Sequence, residues 1–102
     1  MRYQLVLQWS GSSIEDYDAM IELEERISDA LSGESALDGH DVGAIEVNIF
    51  IHTDDPKKTF AVVRPILVAE GRLADARIAF RELSRDEYTI LWPSHLKTFY
   101  IS

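Results

Sequence analysis

The chain has no cysteine, which excludes disulfide staples, thiolate metal sites and a cysteine nucleophile. Basic residues are scarce: ten Lys and Arg stand against eighteen Asp and Glu, a formal net charge of −8. A surface this acidic is repelled by phosphate backbones and anionic lipid. Nucleic-acid binding is therefore not expected, and a basic protein is the natural charged partner. No apolar run approaches the ~20 residues that a membrane helix needs. The opening MRYQLVLQWSGSS has one arginine and polar interruptions, and reads as a strand rather than a signal peptide. The expected location is the cytoplasm. The sequence has no P-loop, no G-x-G-x-x-G and no G-x-S-x-G, which argues against phosphate-loop chemistry and a serine nucleophile elbow. It also contains no internal repeat, linker or low-complexity segment.

With 46% hydrophobic residues, the composition is that of a globular chain, and residues 1–102 are expected to form a single domain. The segment DGHDVGAIEVNIFIHTDDP, residues 38–56, organises the rest. From Ala44 to His52 the residues alternate. Ile45, Val47, Ile49 and Ile51 share one face, and Glu46, Asn48, Phe50 and His52 share the other. Period two with β-branched residues on one side predicts a strand packed against a core on that side. The second face is polar enough to meet water or a partner. Asp38 to Gly43, with two glycines and two aspartates, predicts a tight turn. After His52, Asp55 followed by Pro56 predicts a capped helix start.

The remaining elements follow the same logic. Arg2 to Trp9 predicts a strand with Tyr3, Leu5, Leu7 and Trp9 on one face and Gln4, Val6 and Gln8 on the other. Ser12 or Ser13 with an acidic residue three positions on predicts a helix start. The helix runs from about Ile14 to Leu31 and Gly33 stops it. Its apolar side comprises Tyr17, Met20, Ile21, Leu23, Ile27, Ala30 and Leu31. The second helix begins at Pro56 and puts Phe60, Val63, Leu67 and Ile66 toward the core. Pro65 inside it predicts a kink or early break, and Gly71 ends the segment. Asp75–Leu83 and Tyr88–Trp92 predict a hairpin around Ser84–Asp86. From His95 a tail follows, in which residues 98–101 could add an edge strand.

Glu34 to Gly43 is long for an unstructured connection. If Ser35–Leu37 is a short strand, the 38–43 turn closes a hairpin onto the central strand. The expected fold is then α+β and ferredoxin-like: βαββαβ with one extra C-terminal strand, and two helices on one face of a mainly antiparallel sheet. The alternative is a βαβαββ arrangement with that gap as a loop.

The segments LQWSGSS, DGHDVG, VNIFIHTDDP and ILWP together resemble a family of small bacterial proteins of about this length without an established activity. The resemblance covers most of the chain. It implies a lone accessory or immunity-type role and supplies no catalytic residues.

Candidate chemistry is sparse. Asp38, His40 and Asp41 combine two carboxylates with an imidazole, as a metal site or proton relay would, but match no zinc or calcium spacing. Turn stabilisation is the simpler role. His52, Asp54 and Asp55 form a second group. Nine residues of extended strand, about 30 Å at ~3.3 Å each, separate Gly43 from His52, so the two groups are not expected to meet. Asp54 and Asp55 are expected to cap the helix, and His95 to have a surface or packing role. No metal, cofactor or catalytic residue is expected.

The face carrying Gln4, Gln8, Glu46, Asn48, Phe50 and His52, with Arg77 and Arg81 alongside, is the main candidate binding surface, since Val6 and Phe50 have no evident cover. Glu15, Asp18, Glu22, Glu25 and Asp29 form an acidic row on the first helix that is either a solvated face or a docking surface for a basic partner. The leading expectation is a non-enzymatic protein-binding domain, including an immunity-type role, acting through the open sheet face. The alternatives are a homodimeric small-ligand-binding module and, behind it, a small enzyme using the Asp38/His40/Asp41 turn.

Overall fold

The computed structural model describes residues 2–11, 17–31, 35–42 and 46–101. The elements are β1 (Tyr3–Ser10), α1 (Tyr17–Ala30), β2 (Ser35–Val42), β3 (Glu46–Thr53), α2 (Pro56–Ala69), β4 (Arg77–Glu82) and β5 (Thr89–Trp92). The five strands form one sheet in the order β2-β3-β1-β4-β5. Every neighbouring pair is antiparallel. Helix α1 links β1 to β2 with β3 lying between them, and α2 links β3 to β4 with β1 between them. The chain is thus an α+β fold with two helices and a five-stranded antiparallel sheet. Among the described residues, no helix is long and apolar enough to cross a membrane.

Both helices pack on one face of the sheet. Leu5, Leu7 and Trp9 of β1, Val47, Ile49 and Ile51 of β3, and Ile78 of β4 meet Met20, Leu23 and Ile27 of α1 and Val63 and Leu67 of α2. These are the period-two positions of the strands and the three- and four-residue positions of the helices, so burial follows the sequence pattern directly. Phe60 and Ile66 pack at the margin of this core, whereas Ala30 is exposed.

Helix α2 is closed at both ends. Asp55 is its N-cap and accepts from the Lys58 amide at 3.1 Å. Thr53 Oγ1 accepts from the Asp55 amide and shares a buried 2.7 Å hydrogen bond with Thr59 Oγ1, which ties the end of β3 to the first helical turn. At the far end Gly71 takes φ 68°. Its amide bonds to Val68 O, and the Arg72 amide bonds to Leu67 O. This is the paired closure that a left-handed residue after a helix permits. The carbonyls that follow are held by tryptophans from two strands. Trp9 Nε1 donates to Arg72 O at 2.8 Å and Trp92 Nε1 to Leu73 O at 2.9 Å.

Four expectations need correction. Helix α2 runs through Pro65 without a break; the proline lies on the exposed side, and the helix forgoes one backbone bond there. Asp54 does not cap the helix; it accepts from the Arg2 amide at 3.2 Å and anchors the start of β1. Residues 38–42 are not a turn but the second half of β2, paired with β3. Gly43, Ala44 and Ile45 fall outside the described residues, as do the helix start at 12–16 and Gly33. Finally, residues 98–101 add no strand.

The eight-residue β2 forms an edge of the sheet and carries a bulge. Leu37 faces Ile51 and His40 faces Ile49, so three steps on β2 oppose two on β3. Gly39 sits in the bulge with φ 101°, a conformation costly to any residue with a Cβ. The extra residue moves His40 onto the helix side of the sheet, and the irregularity blunts an edge that would otherwise template pairing.

Candidate functional site

On the second face of the sheet, beyond the Ser10–Glu46 pair at the end of β1 and the start of β3, lie three cross-strand rows. One row is Asp41–Asn48–Gln8–Arg77, across β2, β3, β1 and β4. The middle row is Phe50–Val6–Ala79. The third is Ala36–His52–Gln4–Arg81. Two polar rows therefore flank an apolar one.

This face is not open along its whole length. Val6, Asn48 and Ala79 have no exposed surface, and Gln8 and Glu46 retain only 2% and 6%. The cover over the first row is the chain's own C-terminal segment. Gln8 Nε2 donates to Tyr100 O at 3.1 Å. The Phe99 ring rests on Tyr88, centroids 4.9 Å apart. The expectation of a uniformly exposed binding face is corrected accordingly: the Gln8 end is roofed and the Gln4 end is not.

The first row is a directional hydrogen-bond chain. Arg77 Nε donates to Gln8 Oε1 at 2.7 Å, and Gln8 Nε2 donates to Asn48 Oδ1 at 3.1 Å. Each bond fixes the next amide's orientation: the arginine can only donate, so Gln8 must turn its oxygen toward it and its nitrogen toward Asn48. Asn48 Nδ2 ends the chain, buried and, among the described residues, without an acceptor. In the third row Arg81 Nε donates to Gln4 Oε1 at 3.1 Å, while its Nη1 reaches the carbonyls of Glu82, Leu83 and Arg85. Arg81 thus secures the β4–β5 turn.

Between the first row and the C-terminal segment lies a cavity of about 210 Å³. Gln8, Glu46 and Arg77 form its floor. Leu96 and Thr98 to Tyr100 form its roof. Arg77 Nη2 lies 4.0 Å from Glu46 Oε2, too far for a hydrogen bond. A wider and more open hollow of about 500 Å³ lies on the other side of Arg77, beside Trp92, Pro93 and His95.

The Asp38, His40 and Asp41 group is split by the bulge. Asp38 Oδ2 meets His52 Nε2 at 3.1 Å. The expectation that the two ends of the strand keep these groups apart is overturned, because antiparallel pairing folds the beginning of β2 back onto the end of β3. His40 turns to the helix side, where its Nδ1 lies 2.7 Å from Glu24 Oε1 of α1. That carboxylate oxygen is enclosed, so the contact is a hydrogen bond when the imidazole proton is on Nδ1. Asp41 remains exposed opposite Asn48. Among the described residues no group of three or more His, Asp or Glu side chains converges as a metal site would. Phe50 is half-buried in the apolar row.

Two participants escaped the sequence reading. Glu24 stands four positions after Met20 and three before Ile27, on the buried stripe of α1, and that spacing is a signal a reader could have used. The roofing segment had no local signal beyond the apolar run at 99–101, which reads as an edge strand. No family model, curated protein or solved structure matches the chain.

Proposed function

We propose that this protein is a non-enzymatic binding module that takes a small ligand in the cavity between the first polar row and the C-terminal segment. The observation that carries this reading is the roofed cavity itself. It brings Glu46, Gln8 and Arg77 from three adjacent strands to one partly open hollow, and ligand sites place a few convergent polar groups in such concave surfaces. The cover over the Gln8 end moves the reading from broad protein docking toward a small molecule. Among the described residues no imidazole lines the cavity, and its polar groups suit recognition rather than proton transfer. The strand order β2-β3-β1-β4, with α1 and α2 as crossovers on one face, supports the finer description as a ferredoxin-like fold extended by β5.

Amide-resolved NMR titration with a small-molecule fragment set tests the site. Shifts are expected to concentrate at Gln8, Glu46, Arg77 and Thr98. A set whose only hits fall elsewhere refutes the cavity as the ligand site.

A second reading, docking of a basic protein on α1, is favoured by a separate observation. Glu22, Glu25 and Asp29 are all exposed, while Arg26 on the same helix is drawn to Glu70 of α2 at 3.2 Å. Glu15 lies outside the described residues. Neutralising Glu22, Glu25 and Asp29 should slow association with a basic partner and flatten its salt dependence, because exposed charges act over roughly 8–10 Å at physiological ionic strength. Stopped-flow rates that match the parent at every salt concentration would reduce the row to a solvated face.

A further inference from the structure

We infer that the outer face of the helix layer docks a second copy of this chain, with α1 of each protomer lying on α2 of its partner. The inference rests on the reading of the α1 row as a docking surface and names what docks there.

The first observation is how charge divides along the chain. Thirteen of the eighteen acidic residues precede position 56, and eight of the ten Lys and Arg follow it. The sheet order carries this division into space. Helix α1 leads to the β2 edge, and α2 leads to the β4–β5 edge. The net charge of −8 is thus the sum of an acidic side and a slightly basic one.

The second observation is what the two helices show to solvent. On α1 the buried positions are Met20, Leu23, Glu24 and Ile27, so the helical period directs Glu22, Glu25 and Asp29 away from the sheet. All three are exposed, and among the described residues none of the three carboxylates meets a cation. On α2 the buried positions are Pro56, Thr59, Val63 and Leu67. The strip opposite them carries no acid. Ala61, Pro65, Val68 and Ala69 run along it, with Lys57 at its start and Arg64 at its flank, and all are exposed. Val68 is 59% exposed and Val62 beside it 39%, the kind of apolar surface that a partner covers. Arg64 lies over the Trp92 ring, 5.2 Å from its centroid, which holds the guanidinium in place without neutralising it.

The third is symmetry. The two strips lie side by side on one layer, and Arg26 and Glu70 pair between the helices at 3.2 Å. A two-fold axis along that seam sets α1 over α2 twice in one closed contact. Pairing α1 on α1 would oppose two acidic rows, and α2 on α2 two cationic ones. Charge selects the crossed arrangement, which also covers the apolar strip. Two 14-residue helices side by side present roughly 400 Å² in projection, below the ~800 Å² per partner of a standard stable interface. The pairing is accordingly reversible.

Sedimentation equilibrium of the unaltered chain up to about 1 mM, where even a weak pairing is populated, is expected to show a monomer–dimer equilibrium. Two charge-reversed variants are compared with it: Glu22→Lys/Glu25→Lys/Asp29→Lys on α1 and Lys57→Glu/Arg64→Glu on α2. Each alone is expected to weaken dimerisation at least tenfold, because like charges then face each other across both crossed contacts. The loss in the α1 variant cannot come from overall repulsion, which that variant lowers. An equimolar mixture of the two, or both sets in one chain, is expected to restore the dimer. A parent that stays monomeric throughout overturns the inference, as does a dimer that both variants leave intact. The reading of α1 as a docking surface is judged separately, by amide-resolved NMR titration of the parent with poly-L-lysine. Shifts gathered on α1 in a monomeric parent keep that row for a different basic protein, and shifts elsewhere remove both. Because the first arm uses the unaltered chain, a variant that fails to fold leaves the test intact.

Discussion

The two faces of this sheet bury strand residues by different means. On the helix face, Leu5, Leu7, Trp9, Ile49 and Ile51 are enclosed by other apolar side chains from α1 and α2. On the other face, Gln8, Glu46 and Asn48 are enclosed almost as completely, but beneath a C-terminal segment with no regular structure. The first face is held by area removed from water, which is non-directional and tolerant of detail. The second depends on hydrogen bonds with fixed donors and acceptors, where one lost partner strands a buried group. A face of the second kind specifies geometry, and a site that must orient a small polar molecule needs that property.

The largest expected effect is on the helix face. Leu7→Ala, at a position with no exposed surface, should cost about 3–4 kcal/mol through lost burial and the cavity left behind. Urea denaturation measures it, with the slope unchanged. A cost under about 1 kcal/mol would mean that this face is not the principal core.

The polar face can be tested against itself. Gln8 and Gln4 are on one strand and one face, but Gln8 is roofed and Gln4 is not. Gln8→Leu should cost about 2 kcal/mol, because Arg77 Nε and Asn48 Oδ1 lose their partner inside the structure, whereas Gln4→Leu should stay within about 0.5 kcal/mol. Equal costs in chemical denaturation would erase the distinction between the two ends of the face.

The bulge on β2 decides which face His40 joins. A Cβ at Gly39 would meet nothing within 4 Å, so any penalty comes from the backbone conformation alone. Gly39→Ala should cost about 1–2 kcal/mol, the usual penalty for a positive φ. It should also shift the His40 ring resonances, as the register that carries the ring toward Glu24 is disturbed. An unchanged His40 spectrum would separate the bulge from the facing of that residue.

The smallest effect belongs to Phe50. It stands in the apolar row but is only half-buried, and a lysine stem can lie along the same surface with its charge in water. Phe50→Lys should cost under about 1 kcal/mol and leave the far-UV spectrum unchanged. A variant that unfolds places Phe50 in a core and moves the boundary between the two faces.

Much of the architecture was legible. The alternation from Val47 to Ile51 and from Leu5 to Trp9, and the spacing of Met20, Leu23, Ile27, Val63 and Leu67, specified the apolar core because side-chain direction follows directly from the period of each element. Asp55, Pro56 and Gly71 marked the ends of α2 because capping depends on residues adjacent in the chain. The candidate site was legible only in part. Glu46, Asn48 and Phe50 were correctly assigned to one face, and Gln8 and Arg77 beside them. The Asp38, His40 and Asp41 group was misjudged, because a single extra residue at Gly39 reverses facing, and nothing in Asp-Gly-His-Asp distinguishes a bulge from a turn.

The sequence by itself determined the net charge and, through residues within a few positions of one another, most of the elements and their apolar faces. Only the tertiary structure decided that Asp38 meets His52, that Glu24 meets His40, and that Tyr100 closes over Gln8. Those contacts join residues 14, 16 and 92 positions apart. Their partners are selected by the order of strands in the sheet and by the one face that the helices leave uncovered, and no local pattern encodes either.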